Sequence, residues 1–200
     1  MSLPSGVSTQ GFIDKVSESQ LSFRTLMDAF SHPALARDFV VRTPAWGAMQ
    51  PSSVTLLLTL ADQDTAIWLD EPYADDEGLR SLIAFYCGAP IVAEPGRAVF
   101  AFISDVARIG DFTRFAPGEP DFPDRSTTLI VQTVALQTGP HLFAGPGIRE
   151  TRSFGAEGLS EDFASQWRRN RRSFPLGVDL IFVTDGEVVA LPRSLRLLEV

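Results

Sequence analysis

Three runs of mostly apolar residues constrain the fold of this chain more than any other feature of its sequence. They cover Ala98–Ile103, Thr127–Leu136 and Val178–Thr184. A continuous apolar run such as the first is typical of a strand covered on both faces. The second is rich in β-branched residues, which favour strands. Together the runs predict buried strands at the centre of the fold.

Amphipathic helical patterns alternate with these runs. Ser17 and Gln20 resemble a capping box, and an apolar stripe follows it until Pro33 ends the helix. Pro51 marks the start of a second helix that is apolar almost all round, which predicts that it is buried. Two more helices are predicted over the stripe from residue 79 to residue 86, closed by Gly88, and over Ser160–Arg172.

Shorter patterns predict the remaining strands and turns. Strand candidates are Phe39–Val41, Ala66–Leu69 and Glu187–Leu191. A turn at Gln137–Pro140 is expected to lead into a return strand, His141–Phe143. Further turns are expected at Gly145–Gly147 and Asp185–Gly186. The mixture of strands, helices and hairpins predicts an α/β class protein: a three-layer domain whose mixed β-sheet has flanking helices. We expect one domain over residues 17–200 and a flexible N-terminal segment over residues 1–16.

The composition argues against several classes of partner. The chain has 17 Lys and Arg residues and 25 Asp and Glu residues, which gives a net charge of −8. Nucleic acid and anionic membrane surfaces both need a basic face, so neither is an expected partner. Pro44 and Pro51 interrupt the longest uncharged stretch, and the N-terminus has no basic start or apolar core. We therefore expect no membrane span and no secretory signal. A single cysteine is consistent with the reducing cytoplasm.

Side chains that perform catalysis at neutral pH are scarce. The histidines His32 and His141 lie far apart, Cys87 stands alone, and Lys15 is the only lysine. A pyridoxal phosphate enzyme needs a lysine to hold its cofactor, so that class is disfavoured and we expect no cofactor. P-loop, dinucleotide-binding and nucleophile-elbow motifs are absent from the sequence. The inventory predicts neither a catalytic residue nor a metal site in this chain.

Arginine is the abundant polar residue. Arg168, Arg169, Arg171 and Arg172 form a local cluster. It is either a docking face for an acidic partner or an anionic ligand, or a solvated helix end. Arg24 lies beside an apolar stripe, where it would need a polar partner. Asp179, inside an apolar run, is expected to cap a strand end, to satisfy backbone donors or to pair with an arginine.

Five segments together resemble PhnH, a family of subunits of the bacterial carbon–phosphorus lyase system for phosphonate use. They are, in chain order, Ser22–Pro33 (SFRTLMDAFSHP), Leu57–Leu69 (LLTLADQDTAIWL), Gly145–Ile148 (GPGI), Phe174–Ile181 (FPLGVDLI) and Ala190–Ser194 (ALPRS), with Glu199–Val200 at the end. Ala34 stands where the family often has glycine. The resemblance spans residues 17–200.

The resemblance implies properties that composition does not. Its members are similar in fold to the large domain of pyridoxal-phosphate-dependent transferases but lack the cofactor. They form homodimers and join other subunits in a cytoplasmic core complex, which couples a phosphonate to the ribose of ATP with loss of adenine. No catalytic residue carries over to this chain. The leading hypothesis is therefore a non-catalytic structural subunit of the carbon–phosphorus lyase core complex.

Two alternatives remain. The chain could bind a small anion, a nucleotide or phosphonate, in a cleft at the dimer interface. Candidate contacts are Arg24, Arg149 and Arg193, with the turn from Gly145 to Gly147 offering backbone N–H groups. Alternatively, the isolated chain could itself turn over nucleotide, which would make it an enzyme rather than a scaffold.

Overall fold

A computed structural model describes residues 11–198. Its α-helices are Lys15–Ser31 (α1), Pro51–Leu60 (α2), Glu71–Ala74 (α3), Glu77–Tyr86 (α4) and Phe163–Arg172 (α5). Its strands are Arg37–Asp38 (β1), Ile67–Leu69 (β2), Phe100–Ile103 (β3), Pro117–Glu119 (β4), Phe122–Ser126 (β5), Thr128–Gln132 (β6), Leu136–Ala144 (β7), Arg152–Ala156 (β8), Asp179–Val183 (β9), Glu187–Leu191 (β10) and Arg196–Leu197 (β11). Single 3₁₀ turns occupy Pro95–Arg97, Val106–Arg108 and Phe112–Arg114.

A six-stranded mixed sheet forms the centre of the molecule, in the order β1-β10-β9-β6-β3-β2. Strands β2, β3, β6 and β9 are parallel, whereas β10 and β1 are antiparallel additions at one side. The three apolar runs supply β3, β6 and β9, adjacent strands of this sheet, although β6 ends at Gln132 and Leu136 already begins β7. The predicted mixed α/β architecture is therefore confirmed.

Side chains of the sheet alternate between two hydrophobic clusters. On β9, Ile181 and Val183 join a cluster with helices α1, α2 and α4, while Leu180 and Phe182 join a cluster with α5 and strands β7 and β8. Trp167 of α5 is fully buried in the second cluster. Burying an apolar side chain of this kind stabilises the fold by about 1.5–3 kcal/mol. A strand with both faces covered needs apolar residues at every position, which explains the continuous runs.

The helix end predicted at Gly88 and the turn predicted at Asp185–Gly186 are both confirmed. Gly88 follows α4 with a φ of +67°, and its N–H donates to the carbonyl of Ile83 at 2.9 Å, as in a left-handed helix cap. Gly186 has a φ of +113° in the turn between β9 and β10, closed by a 3.0 Å hydrogen bond from Thr184 N–H to Glu187 O. Non-glycine residues rarely adopt either conformation.

The predicted turn at Gln137–Pro140 is wrong. These residues lie inside β7, which runs from Leu136 to Ala144 and pairs with β8 in a separate three-stranded sheet, β11-β7-β8. The register of this pair shifts between Gln137 and His141, a bulge that accommodates Gly139 and Pro140 without reversing the chain. The chain instead reverses between β7 and β8, at the predicted turn Gly145–Gly147.

Helix α1 differs from its prediction at its start and on its face. Asp14, not Ser17, is the N-cap: its carboxylate accepts the backbone N–H of Ser17 at 3.2 Å. The residues of the predicted apolar stripe do not share one buried face: Leu26 is buried, whereas Phe23 and Met27 are each 47% exposed. The N-terminal segment predicted to be flexible lies outside the described residues as far as residue 10; Lys15 and Val16 belong to the first turn of α1.

The strand predicted at Phe39–Val41 is also wrong. Two residues earlier, Arg37 and Asp38 form the edge strand β1 against β10. Phe39 instead buries its ring in the first cluster, and its N–H donates to Gly186 O at 2.7 Å. Over residues 11–198, no helix has both the length and the apolar character needed to cross a membrane.

Candidate functional site

The carboxyl ends of the four parallel strands bring polar residues together at one edge of the sheet. Asp70 follows β2, Ser104 follows β3, Gln132 ends β6 and Thr184 follows β9. In open α/β sheets, ligands bind in the crevice outside this edge. The fold therefore directs attention to these residues, which we call the carboxyl edge.

Asp70 lies at the centre of a hydrogen-bonded group on the carboxyl edge. Its side chain is 5% exposed, and its Oδ2 accepts from the backbone N–H of Ser104 at 2.9 Å and from Ser104 Oγ at 2.6 Å. Arg108 Nε approaches the same oxygen at 3.3 Å, and Arg108 Nη2 reaches Glu71 at 2.8 Å. Asp70 Oδ1 is buried without a hydrogen-bond partner among residues 11–198. The group thus presents one buried acceptor whose hydrogen-bonding capacity is unused.

Gln132 forms a second group on the carboxyl edge. Its Oε1 accepts from the backbone N–H of Gln50 at 2.8 Å and from the hydroxyl of Tyr73 at 2.7 Å. Burial, followed by the negative charge of Asp70, raises the pKa of Tyr73 above its usual value. The phenol therefore stays protonated and donates its hydrogen bond throughout the physiological range. Gln132 joins β6 to α2 and α3 at this edge.

A cavity of about 430 Å³ lies between residues 106–112, which follow β3, and the start of α5. Its polar wall includes Asp111, Gln166 and Arg169. Gln166 Oε1 accepts the N–H of Phe112 at 3.0 Å, and Arg169 lies 3.7 Å from Asp111. Hydrogen bonds from Thr113, with a smaller contribution from Arg169, lower the pKa of Asp111, so this carboxyl is ionised at neutral pH. The wall can form hydrogen bonds with a bound molecule.

The opposite, amino edge of the parallel strands contains Arg193, a predicted anion contact. Its Nη2 lies 2.9 Å from Asp179 Oδ2, and its Nη1 donates to the carbonyls of Pro123 and Gly177 at 2.9 and 2.7 Å. The backbone N–H of Arg193 donates to Asp179 Oδ1 at 2.7 Å. Asp179 therefore pairs with an arginine, as one of the sequence hypotheses had it. The guanidinium joins three parts of the chain and is engaged by the protein itself.

The glycines of the predicted turn pack against other parts of the protein. A Cβ on Gly147, whose φ is +81°, would lie 2.5 Å from the carbonyl oxygen of Ser31 and 2.6 Å from Pro33 Cδ. A Cβ on Gly145 would lie 3.0 Å from Leu195 Cδ2. Close packing against the end of α1 and against Leu195 thus explains both glycines without a ligand.

The other two predicted arginines are exposed. Arg24 and Arg149 have no carboxylate within 4.0 Å in the described part of the chain. The expectation that Arg24 needs a polar partner is therefore wrong, because this side chain points to solvent rather than into the apolar layer. The shallow cavity beside Arg24 is lined by Arg24–Thr25, Asp28 and residues 36–38, and includes neither Arg149 nor Arg193.

The scarce reactive side chains have structural surroundings. His32 caps α1, with Nδ1 3.0 Å from the carbonyl of Asp28. His141 lies on β7, where burial and then the charge of Arg168 lower its pKa. Burial raises the pKa of the Cys87 thiol, which lies 3.3 Å from the carbonyl of Ile83. Over residues 11–198, no three His, Cys, Asp or Glu side chains are grouped as a metal ion would require.

Asp76 and the predicted arginine cluster also have local explanations. Asp76 is the N-cap of α4, with its Oδ1 accepting the N–H of Leu79 at 2.9 Å. Arg169, Arg171 and Arg172 occupy the last turn of α5, where positive charge suits the helix dipole. Arg171 lies over the ring of Phe174 at 4.4 Å. These contacts favour the solvated helix end over a built anion site.

Sequence reasoning missed the carboxyl edge. Asp70 directly follows the predicted strand 66–69, and that position was the available signal. The sequence contains no comparable signal for Gln132 or Arg108, because their partners come from distant parts of the chain. Gln132 meets Gln50 and Tyr73, and Arg108 meets Asp70.

Comparison with known proteins assigns this fold to a family. A family model described as "Bacterial phosphonate metabolism protein (PhnH)" matches residues 10–198. The chain is 35% identical over 198 residues to the alpha-D-ribose 1-methylphosphonate 5-triphosphate synthase subunit PhnH of Rhizobium meliloti (strain 1021), covering 98% of each chain. It is 28% identical over 176 residues to the "Putative C-P lyase subunit protein HtxG" of Stutzerimonas stutzeri, covering 88% of this chain and 83% of that protein.

Proposed function

Because this chain belongs to the PhnH family of bacterial phosphonate metabolism proteins, we propose that it is a subunit of a carbon–phosphorus lyase core complex in phosphonate catabolism. There it supports formation of a ribose 1-phosphonate 5-triphosphate from ATP and a phosphonate. The observation that carries the proposal is the 35% identity to a synthase subunit, which extends over 98% of both chains. A match of that extent includes the whole described fold rather than one shared motif.

The role that we propose within the complex is structural rather than catalytic. His32 caps helix α1 and His141 lies on strand β7. Burial raises the pKa of the Cys87 thiol and so keeps it protonated. A general base or nucleophile must reach a reacting atom with a suitable pKa. The surroundings of these groups support packing roles, so we assign the covalent steps to partner subunits.

The proposal includes three further properties. The domain is similar to the large domain of pyridoxal-phosphate-dependent transferases, for which the mixed sheet with parallel central strands is consistent support. The chain forms a homodimer. It works in the cytoplasm with the other complex subunits, which accords with its single cysteine.

Co-expression with the other lyase subunits tests the proposal. We expect the full chain to co-purify in an assembly of defined native mass, and we expect ribose 1-phosphonate 5-triphosphate production to stop when this chain is omitted and to return when it is added back. Failure to co-purify, or undiminished production without the chain, contradicts a subunit role. Saturable adenine release from ATP and methylphosphonate by the purified chain alone contradicts the non-catalytic role.

A second candidate function is capture of a small anion such as a nucleotide or phosphonate. Its support is that Arg24 and Arg149 are exposed and, within residues 11–198, have no ion-pair partner. Calorimetry with ATP and an alkylphosphonate tests it: saturable binding that is lost in Arg24→Ala or Arg149→Ala supports the site, and no heat at millimolar ligand contradicts it.

A further inference from the structure

Two cavities lie along helix α5 and share part of their wall. The cavity of about 430 Å³ adjoins the start of the helix, and a second cavity, of about 200 Å³, reaches Asn170 near its end. Four residues line both cavities: Asp111, Phe112, Gln166 and Arg169. We call the two cavities together the α5 groove. The larger cavity alone has the size of a small-molecule site.

Hydrogen bonds of the protein hold the walls of the α5 groove in place. Gln166 Oε1 accepts the N–H of Phe112 at 3.0 Å, which ties the segment after β3 to α5. Asp111 Oδ1 accepts the N–H of Thr113 at 2.9 Å and so caps the 3₁₀ turn that follows it. Because these walls are already ordered, a ligand does not have to order them when it binds.

Apolar side chains form another part of the larger cavity. Ile109, Phe112 and Phe163 line it, and each of them is at most 5% exposed. Small-molecule sites commonly combine such apolar contacts with a few polar groups that fix the orientation of the ligand. The apolar residues can therefore contact the carbon atoms of a ligand whose charged groups meet the polar wall.

Two opposite charges lie close together in the wall that the cavities share. Arg169 Nη1 is 3.7 Å from Asp111 Oδ2, which is beyond hydrogen-bonding distance, and the two side chains are 56% and 50% exposed. Within residues 11–198, the guanidinium of Arg169 donates no hydrogen bond. Its donors are therefore available to a ligand in the α5 groove.

The short distance between these charges decides which kind of ligand suits the α5 groove. An anion is attracted by Arg169 but repelled by Asp111 at a comparable distance, and for a cation the signs are reversed. For either ion the two effects largely cancel. A zwitterion can instead place its oxyanion against Arg169 and its ammonium group against Asp111, so that both contacts are favourable.

Asp162 provides a second acceptor for an ammonium group. It lines the larger cavity and is the N-cap residue of α5, but its carboxylate makes no capping hydrogen bond. The lining of the α5 groove therefore carries two carboxylates and one guanidinium. This excess of negative charge disfavours a simple anion and leaves the zwitterion as the ligand that fits.

We propose that the α5 groove binds a small zwitterion whose ammonium group and oxyanion, a carboxylate or a phosphonate, are joined by a short carbon chain. Arg169 binds the oxyanion, Asp111 and Asp162 bind the ammonium group, and the apolar lining contacts the carbon chain. The site goes beyond the proposed subunit role, and it uses neither Arg24 nor Arg149.

Calorimetry of the full chain with four probes tests the class of ligand. The probes are 2-aminoethylphosphonate, β-alanine, ethylphosphonate and ethylamine. We expect saturable binding of at least one of the two zwitterions, and the tighter of them identifies the oxyanion. Ethylphosphonate and ethylamine should bind at least about tenfold more weakly, because each makes only one of the two charged contacts. No saturable heat from either zwitterion at millimolar concentration, or equally tight binding of ethylphosphonate, overturns the inference.

Asp111→Asn tests the site with two changes of opposite sign. The affinity for the tighter zwitterion should fall at least about tenfold, because the ammonium group loses a charged partner. The affinity for ethylphosphonate should rise, because the repelling charge is gone. Asparagine keeps a side-chain oxygen for the N–H of Thr113, so the fold is retained. Loss of folding would weaken both ligands, and a fall in both affinities overturns the inference.

Arg168 provides a matched control for Arg169. It is the preceding residue of α5, carries the same charge and lines neither cavity of the α5 groove. Arg169→Gln should weaken the zwitterion at least about tenfold, whereas Arg168→Gln leaves its affinity unchanged. Circular dichroism confirms that both variants are folded. Equal losses in the two variants would show attraction by the general charge of the helix end and would overturn the site.

Discussion

Two aspartate–arginine pairs lie at opposite edges of the same sheet and differ in how completely they are satisfied. At the amino edge, both oxygens of Asp179 accept hydrogen bonds from Arg193, whose Nη1 donates to the carbonyls of Pro123 and Gly177. At the carboxyl edge, one oxygen of Asp70 carries all its contacts while the other is buried without a partner in the described chain. Arg108 is 40% exposed, against 16% for Arg193.

The difference separates a structural contact from a candidate site. The pair of Asp179 and Arg193, in which both carboxylate oxygens and Nη1 are bonded, holds chain segments in place. A ligand could reach these groups only by breaking those bonds. An unsatisfied buried acceptor beside an exposed arginine still has hydrogen-bonding capacity. Arg193, one of the three arginines predicted as anion contacts, thus belongs to the scaffold, and the unpredicted carboxyl edge is the better place to look for a ligand.

The largest effect is expected from breaking the amino-edge pair. Arg193→Met leaves Asp179 buried and unpaired, and should lower the free energy of unfolding at pH 7 by about 3–5 kcal/mol. Urea denaturation measures this loss. The exposed Arg149→Met is the control, with a change within about 0.5 kcal/mol. An equal loss in both variants would contradict the structural role of Arg193.

The loss in Arg193→Met should also depend on pH. Burial already raises the pKa of Asp179, and its bonds to Arg193 oppose that rise. Without Arg193 the folded pKa rises further, so the folded state binds a proton more tightly than the unfolded state. The stability of the variant then falls as pH rises from the unfolded pKa of Asp179 to its folded pKa. The deficit of Arg193→Met relative to the wild type therefore shrinks on acidification. A deficit independent of pH would contradict this assignment.

An intermediate effect is expected from Gln132 on the carboxyl edge. Gln132→Leu leaves the N–H of Gln50 and the hydroxyl of Tyr73 without their acceptor, at a cost of about 2 kcal/mol. Adding Tyr73→Phe removes one of the two orphaned donors and should recover part of that loss. The double-mutant cycle measures the coupling; strictly additive losses would show that the hydroxyl does not bond Gln132.

The smallest effect is expected from Arg108. Arg108→Gln should cost about 1 kcal/mol or less, because Asp70 retains both hydrogen bonds from Ser104 and the arginine is partly solvated. Glu71→Gln, which leaves the contact between Arg108 and Asp70 in place, is the matched control. A loss as large as that of Arg193→Met would show that the two edges are equally structural and would remove the distinction between them.

Much of the fold could be predicted from local patterns. The continuous apolar runs identified β3, β6 and β9 because strands covered on both faces need apolar side chains at every position. The failed turn prediction depends on contacts outside its own segment. Gln137–Pro140 contains turn-forming residues, but the pairing of β7 with β8 absorbs them in a bulge, and that pairing is not visible within the segment.

The sequence by itself determined the family, the alternation of helices and strands, and the scarcity of reactive side chains, since these depend on residue identity and short spacing. Tertiary structure decided which face of α1 is anchored, which arginine is satisfied by the protein and which polar residues meet at the carboxyl edge. The reason is distance along the chain: Gln132 meets Gln50, and Arg193 meets Pro123, only because the sheet brings remote segments together.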